Sequence, residues 1–138
     1  MKIDRQTLTA WLLQMAGSVE MLAFGAVAMP RSWMETSHTW LGLGEMPSGP
    51  ILMFMIRRTS FFYGLHGGLL WLLGSDVVRF RPLVIFTGVS YLLAGPVFFI
   101  IDRTSGMPDW WTVVDLVGCA FLGSALLWLN RAGFKPEK

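Results

Sequence analysis

The stretch LVIFTGVSYLLAGPVFFII, Leu83–Ile101, contains no charged residue. A helix needs about 20 mostly apolar residues to cross roughly 30 Å of hydrocarbon, so this stretch predicts a membrane span. Three further stretches have a similar character, and they cover residues 8–29, 51–74 and 110–129. Prolines such as Pro30, Pro82 and Pro108 separate the four stretches. The sequence therefore predicts an all-α, polytopic membrane protein, a four-transmembrane-helix bundle that forms a single domain over 1–138.

The composition agrees with this class and excludes others. Apolar residues make up 54% of the chain and charged residues only 14%, against about 25% charged residues in a soluble domain. The net charge is +2 and no long basic run exists, which excludes nucleic acid as a partner. One cysteine, Cys119, excludes an internal disulfide, and two histidines are too few for a typical metal site. We therefore expect no metal and no cofactor.

The first span admits a second interpretation as a signal peptide. Lys2 and Arg5 precede it, and the residues 26–28, Ala-Val-Ala, resemble a cleavage site. However, its apolar stretch is long for a signal peptide and Glu20 interrupts it. We interpret it as a retained span.

The positions of Lys and Arg predict the topology. Bacterial membrane proteins concentrate these residues in their cytoplasmic loops. With both termini cytoplasmic, the outer loops hold only Arg31 and Arg103, whereas the inner side holds Lys2, Arg5, Arg79, Arg81, Arg131, Lys135 and Lys138. We expect a multi-pass protein of the bacterial inner (cytoplasmic) membrane, in contact with membrane lipids and with N and C termini in the cytoplasm.

The first outer loop, residues 30–49, predicts a short interfacial helix. Ser32 and Glu35 have the spacing of a capping box, and Gly42 and Gly44 can end a helix. Such a helix can lie on the membrane surface over the bundle. A docking surface for a partner protein is the alternative interpretation.

Charged residues inside the spans form a predicted intramembrane cluster of Glu20, Arg57, Arg58 and Asp115. At 1.5 Å per residue, Glu20 lies about 13 Å, Arg57 about 10 Å and Asp115 about 9 Å from the outer end of its span. A charge at the middle of a membrane helix costs about 2.5–3.5 kcal/mol, so such residues turn inward and pair. We expect Arg57 within salt-bridge distance of Glu20 or Asp115.

This cluster has two interpretations: a structural set of ion pairs, or a polar pocket that handles a proton, a substrate or an anionic headgroup. If the second span instead begins at Thr59, both arginines lie at the outer interface. A possible pocket also includes His66, Tyr63, Ser90 and Tyr91. Small residues predict helix packing at Gly64, Gly68 and Gly118.

Three motifs carry a resemblance to a known group of proteins. They are FYGLHGGLLW at Phe62–Trp71, RFRPL at Arg79–Leu83 and GMPDWW at Gly106–Trp111. In these stretches the chain resembles small, uncharacterised bacterial four-span integral membrane proteins, a resemblance that implies the fold but no activity. Glu20 in the first span also resembles the proton- and drug-binding carboxylate of the small multidrug resistance transporters, whose aromatic and glycine signatures this sequence lacks.

Two functions follow from these observations. We expect a non-enzymatic membrane subunit or scaffold that associates through helix packing with itself, as a homo-oligomer, or with a larger membrane complex. The alternative is a small-molecule or proton-handling membrane protein built around the Glu/Arg/Asp cluster.

Overall fold

The computed structural model describes residues 4–131 of the chain. The regular elements of this part are all α-helices, which confirms the predicted all-α class. In chain order they are α1 (Arg5–Met21), α2 (Phe24–Ala28), α3 (Arg31–Trp40), α4 (Pro50–Ser75), α5 (Arg81–Thr104) and α6 (Asp109–Asn130). Lys2, Lys135 and Lys138, which the topology prediction uses, lie outside the described residues.

Three helical segments of the described chain are long and apolar enough to cross a membrane: Arg5–Ala28, Arg81–Thr104 and Asp109–Asn130. They coincide with the first, third and fourth predicted spans, and they indicate a membrane protein. Helix α4 covers the second predicted span and is 26 residues long, but it is less apolar because two arginines and a histidine interrupt it. The four-span bundle therefore stays a prediction.

The backbone contacts divide the chain into two compact units. One unit is Met15–Trp71, and the other combines the chain up to Gln14 with the chain from Leu72 onward. The first unit holds the end of α1, the helices α2 and α3, and most of α4. The second holds the start of α1, the end of α4, and the pair α5 and α6. The single domain predicted over 1–138 stays a prediction.

The first predicted span is a broken helix. At the break between α1 and α2, the amides of Leu22 and Ala23 donate to the carbonyl oxygens of Val19 and Glu20, three residues earlier, at 3.2 and 3.0 Å. Bonds of this spacing tighten the last turn of a helix and mark its end. The short helix α2 that follows begins with Phe24.

A close backbone contact joins α1 to α4 within the unit Met15–Trp71. A Cβ added to Gly67 would lie 2.5 Å from the carbonyl oxygen of Gly17, and a Cβ on Gly17 would lie equally close to the oxygen of Gly67. Only residues without a side chain permit this approach. The next residue of α1 also contacts α4, because Trp71 Nε1 donates a hydrogen bond of 2.9 Å to Ser18 Oγ.

Of the three glycines predicted to pack against another helix, one contacts a neighbouring side chain and two have no described atom close to them. Gly64 is in contact, because a Cβ there would lie 2.6 Å from the ring of Phe24. At Gly68 and at Gly118 of α6, a Cβ would meet no described atom within 4 Å. Successive helical residues point about 100° apart, so the contact of Gly67 with α1 turns Gly68 away. The backbone contact predicted at Gly68 is found at Gly67.

Helices α5 and α6 form an antiparallel pair in the other unit. Gly88 of α5 lies against Gly123 of α6, where a Cβ on Gly123 would be 2.7 Å from the Gly88 carbonyl oxygen. Further along the pair, a Cβ on Gly95 would be 3.3 Å from the Cβ of Cys119. The connection turns at Gly106, whose φ of 72° lies in the left-handed region that favours glycine. The buried Cys119 is thus a small packing residue.

The predicted loop helix exists as α3, but it begins differently. Pro30 is its N-cap, so Ser32 lies within the first turn and no side-chain capping bond forms. Glu35 instead accepts a hydrogen bond of 2.6 Å from Arg31 Nε. Gly42, with φ of 75°, follows the end of the helix as predicted. The position of α3 at a membrane interface stays a prediction.

Candidate functional site

A carboxylate and an imidazole meet between α1 and α4. His66 Nδ1 lies 2.5 Å from Glu20 Oε2. The ionised carboxylate can only accept a hydrogen bond, so Nδ1 carries the proton in that state. Gly17 precedes Glu20 by one turn and Gly67 directly follows His66. The close contact of these two glycines therefore holds the two polar side chains at hydrogen-bonding distance.

The side chains of Glu20 and His66 are only partly buried. The Glu20 side chain retains 18% of its accessible surface, and the His66 side chain retains 45%. His66 also lines an open recess of about 250 Å³ together with Thr59, Phe62 and Tyr63. The site therefore combines the Glu20 carboxylate and the His66 imidazole with a recess lined by two aromatic rings and two hydroxyls, those of Thr59 and Tyr63.

Two of the four residues of the predicted pocket, His66 and Tyr63, line this recess. Ser90 and Tyr91 belong to α5, in the other unit of the chain. Their membership of the same pocket stays a prediction.

The register of α1 on α4 separates Glu20 from Arg57. Ser18 of α1 contacts Trp71 and Glu20 contacts His66, so α1 and α4 run antiparallel. On this register Glu20 is level with His66, and Arg57 lies nine residues earlier in α4, a rise of about 13 Å. Among the described residues of this unit, Arg57 forms no ion pair. In place of the predicted bridge to Arg57, Glu20 pairs with His66.

The other members of the predicted cluster have aromatic neighbours. The Arg58 guanidinium lies 5.5 Å from the centre of the Phe54 ring and 6.0 Å from that of the Phe62 ring. In the other unit, Asp115 accepts a hydrogen bond of 3.1 Å from Trp111 Nε1. A common layer of the four charges stays a prediction.

Sequence reasoning missed a buried acid, Asp102, because it ended the third span at Ile101. Helix α5 continues to Thr104, and the Asp102 side chain is only 8% exposed. Its Oδ2 makes no hydrogen bond within the described chain, and neither does Oγ1 of Thr112, which is 2% exposed. Asp102 follows the packing residue Gly95 by seven positions. This heptad spacing is the signal that could have revealed it.

Basic and aromatic side chains gather at one end of the unit that holds α5 and α6. The guanidinium carbons of Arg5 and Arg131 lie 5.5 and 5.3 Å from the centre of the Trp128 ring. Arg81 donates a hydrogen bond of 2.9 Å to the carbonyl oxygen of Asn130. The starts of α1 and α5 and the end of α6 thus share a basic end.

The described residues contain no group of three or more His, Cys, Asp or Glu side chains that could hold a metal ion. The site is therefore defined by the Glu20–His66 pair. Comparison of the chain with protein-family models, with curated proteins and with solved structures found no match.

Proposed function

We propose that the chain is a small, non-enzymatic integral membrane protein that serves as a subunit or scaffold in the bacterial inner membrane. In this proposal α4 is the second of four spans and both termini are cytoplasmic. The length of α4, 26 residues, supports a crossing because it corresponds to about 39 Å, against about 30 Å of hydrocarbon. The end that carries Arg5, Arg81 and Arg131 is then the cytoplasmic end, in agreement with the positive-inside rule.

The half-covered Glu20–His66 pair is the observation that carries the scaffold proposal. In a membrane, a polar side chain at this depth is stabilised when it faces a protein interior and not lipid. His66 retains 45% of its side-chain surface within this chain. A helix from a second copy of the chain, or from another subunit of a larger complex, would cover His66 and the neighbouring Tyr63. We propose that the face of α4 around these two residues is where the protein associates.

Disulfide cross-linking in lipid bilayers tests self-association through this face. Cys119→Ser removes the native thiol, and Tyr63→Cys then places one thiol beside His66. We expect oxidation to give a covalent dimer. Phe86→Cys, at an exposed position of α5, is the matched control and should remain monomeric. A Tyr63→Cys protein that stays monomeric at every protein-to-lipid ratio would contradict self-association through this face.

A second candidate function is proton or small-molecule handling. The specific observation that favours it is the 2.5 Å separation of His66 Nδ1 and Glu20 Oε2 at the edge of an open recess. Histidine changes charge near neutral pH, and carboxylate–histidine pairs in membranes mark proton pathways. Proton flux into liposomes with a trapped pH dye would test this function. We expect Glu20→Gln to abolish the flux and Asp76→Asn, outside the site, to preserve it; equal flux in both variants would exclude the pair from a proton pathway.

A further inference from the structure

Two adjacent arginines line an apolar groove near the start of α4. The groove measures about 690 Å³, and its lining consists of Pro50, Met53, Phe54, Arg57, Arg58 and Phe61. Both arginines are exposed. Within the described residues of the unit Met15–Trp71, neither has a carboxylate partner. The groove thus combines four apolar side chains with two guanidiniums that have no carboxylate counter-ion among the described residues of this unit.

If α4 crosses the membrane, as the proposed function requires, its length places these guanidiniums at headgroup level. If the crossing ends at Ser75, the last residue of α4, about 20 residues of hydrocarbon-spanning helix begin near Ile56. Arg57 and Arg58 then lie in the first turn of the crossing, where an arginine side chain reaches the phosphate level by extending toward the interface. Pro50 and Met53 lie above them, in the headgroup region.

The aromatic side chains around Arg58 fix its position. Arg58 lies over the rings of Phe54 and Phe62, and such cation–π contacts hold a guanidinium in place without neutralising its charge. Arginine presents a planar fork of donors that matches the oxygens of a phosphate group. Phe61, one turn further into the membrane than Arg57, offers an apolar surface for an acyl chain directly below that phosphate.

We propose that this groove binds an anionic phospholipid, with the headgroup phosphate on Arg57 and Arg58 and the upper part of an acyl chain along Phe61. The charge of the groove selects an anionic over a zwitterionic headgroup. The apolar lining selects a lipid over a free phosphate ion. The proposal is independent of self-association, because the groove and both arginines belong to one copy of the chain.

The test compares thermal unfolding in nanodiscs that each hold one copy of the full chain. The nanodiscs contain phosphatidylcholine alone or with increasing phosphatidylglycerol. A ligand that binds the folded state raises the unfolding temperature with its concentration. We expect phosphatidylglycerol to raise the unfolding temperature of the wild type, and native mass spectrometry to show retained phosphatidylglycerol.

The variants separate this groove from general surface charge. The double variant Arg57→Gln with Arg58→Gln should abolish the effect of phosphatidylglycerol on the unfolding temperature. Each single variant should lower the affinity for phosphatidylglycerol by about tenfold, as expected for a lost charge-assisted hydrogen bond. Arg79→Gln is the matched control, because Arg79 also lies over an aromatic ring, at 5.5 Å from the centre of Phe80. It should keep the wild-type dependence.

Three results would overturn the proposal. The first is a double variant that responds to phosphatidylglycerol as the wild type does. The second is an Arg79→Gln protein that loses the response to the same extent. The third is equal stabilisation of the wild type in phosphatidylcholine by inorganic phosphate, which would identify the site as one for free phosphate.

Discussion

At the scale of single residues, the Glu20–His66 pair predicts energetic coupling between α1 and α4. Each of Glu20→Gln and His66→Gln should lower the free energy of unfolding by about 1 kcal/mol, because the hydrogen bond involves a charged group that is partly exposed to solvent. The double variant should lose less than the sum of the two, as residues in direct contact do. Thermal unfolding in detergent measures all three values.

The control cycle combines Glu20→Gln with Arg57→Gln. These two losses should add, because Arg57 lies about 13 Å beyond the level of Glu20 on the register of α1 and α4. Additive losses for Glu20 with His66, or coupled losses for Glu20 with Arg57, would contradict the geometry of the site.

The buried Asp102 predicts a stabilising substitution. Its carboxylate is 8% exposed, its Oδ2 has no hydrogen-bond partner within the described chain, and it lies in the last turn of α5, where the helix dipole disfavours negative charge. Asp102→Asn keeps the volume and removes the charge. We expect it to raise the free energy of unfolding by about 1 kcal/mol.

Asp109→Asn is the comparison for Asp102. Asp109 lies in the first turn of α6, where the dipole favours its charge, and it pairs with Arg103 at a side-chain exposure of 85%. Asp109→Asn should leave stability unchanged or lower it slightly. If Asp102→Asn destabilised the protein more than Asp109→Asn, the Asp102 carboxylate would have a favourable role that its surroundings do not explain.

At the scale of helices, two neighbouring glycines predict opposite outcomes. Gly67→Ala places a Cβ 2.5 Å from the Gly17 carbonyl oxygen and 2.8 Å from the Met21 amide, and neither backbone atom can move aside cheaply. We expect a loss of about 1–3 kcal/mol in the free energy of unfolding. Gly68→Ala meets no described atom within 4 Å, and alanine favours a helix over glycine by about 1 kcal/mol.

Gly68→Ala should therefore be neutral or stabilising, as measured by the unfolding temperature in detergent. A strong loss at Gly68 with none at Gly67 would show that α1 packs on the other side of α4.

The sequence could predict the helices but not their registers. Apolar length and the positions of proline suffice for α5 and α6, because a membrane span is a local property of the chain. The choice between Gly67 and Gly68 depends on the helix that packs against them, and adjacent glycines look alike in a sequence. Likewise, depth counted along a straight first span places Glu20 near Arg57. The contact of Gly17 with Gly67 sets a register of α1 on α4 that places it beside His66 instead.

At the scale of the whole molecule, the central claim is that α4 crosses the membrane, which makes the protein a four-span one. The side chains at its two ends, Ser48 just before α4 and Ser75 at its end, are exposed and small enough to replace. In a four-span protein with cytoplasmic termini, the two positions lie on opposite sides of the membrane, Ser48 outside and Ser75 in the cytoplasm.

The most direct measurement is thiol labelling of intact cells with a membrane-impermeant reagent. Single cysteines are introduced as Ser48→Cys and Ser75→Cys in a Cys119→Ser background, which removes the buried native thiol. We predict that Ser48→Cys is labelled in intact cells and that Ser75→Cys is labelled only after the membrane is opened. Labelling of both positions from the same side, or of Ser75→Cys from the outside, would contradict a crossing by α4 in the predicted direction.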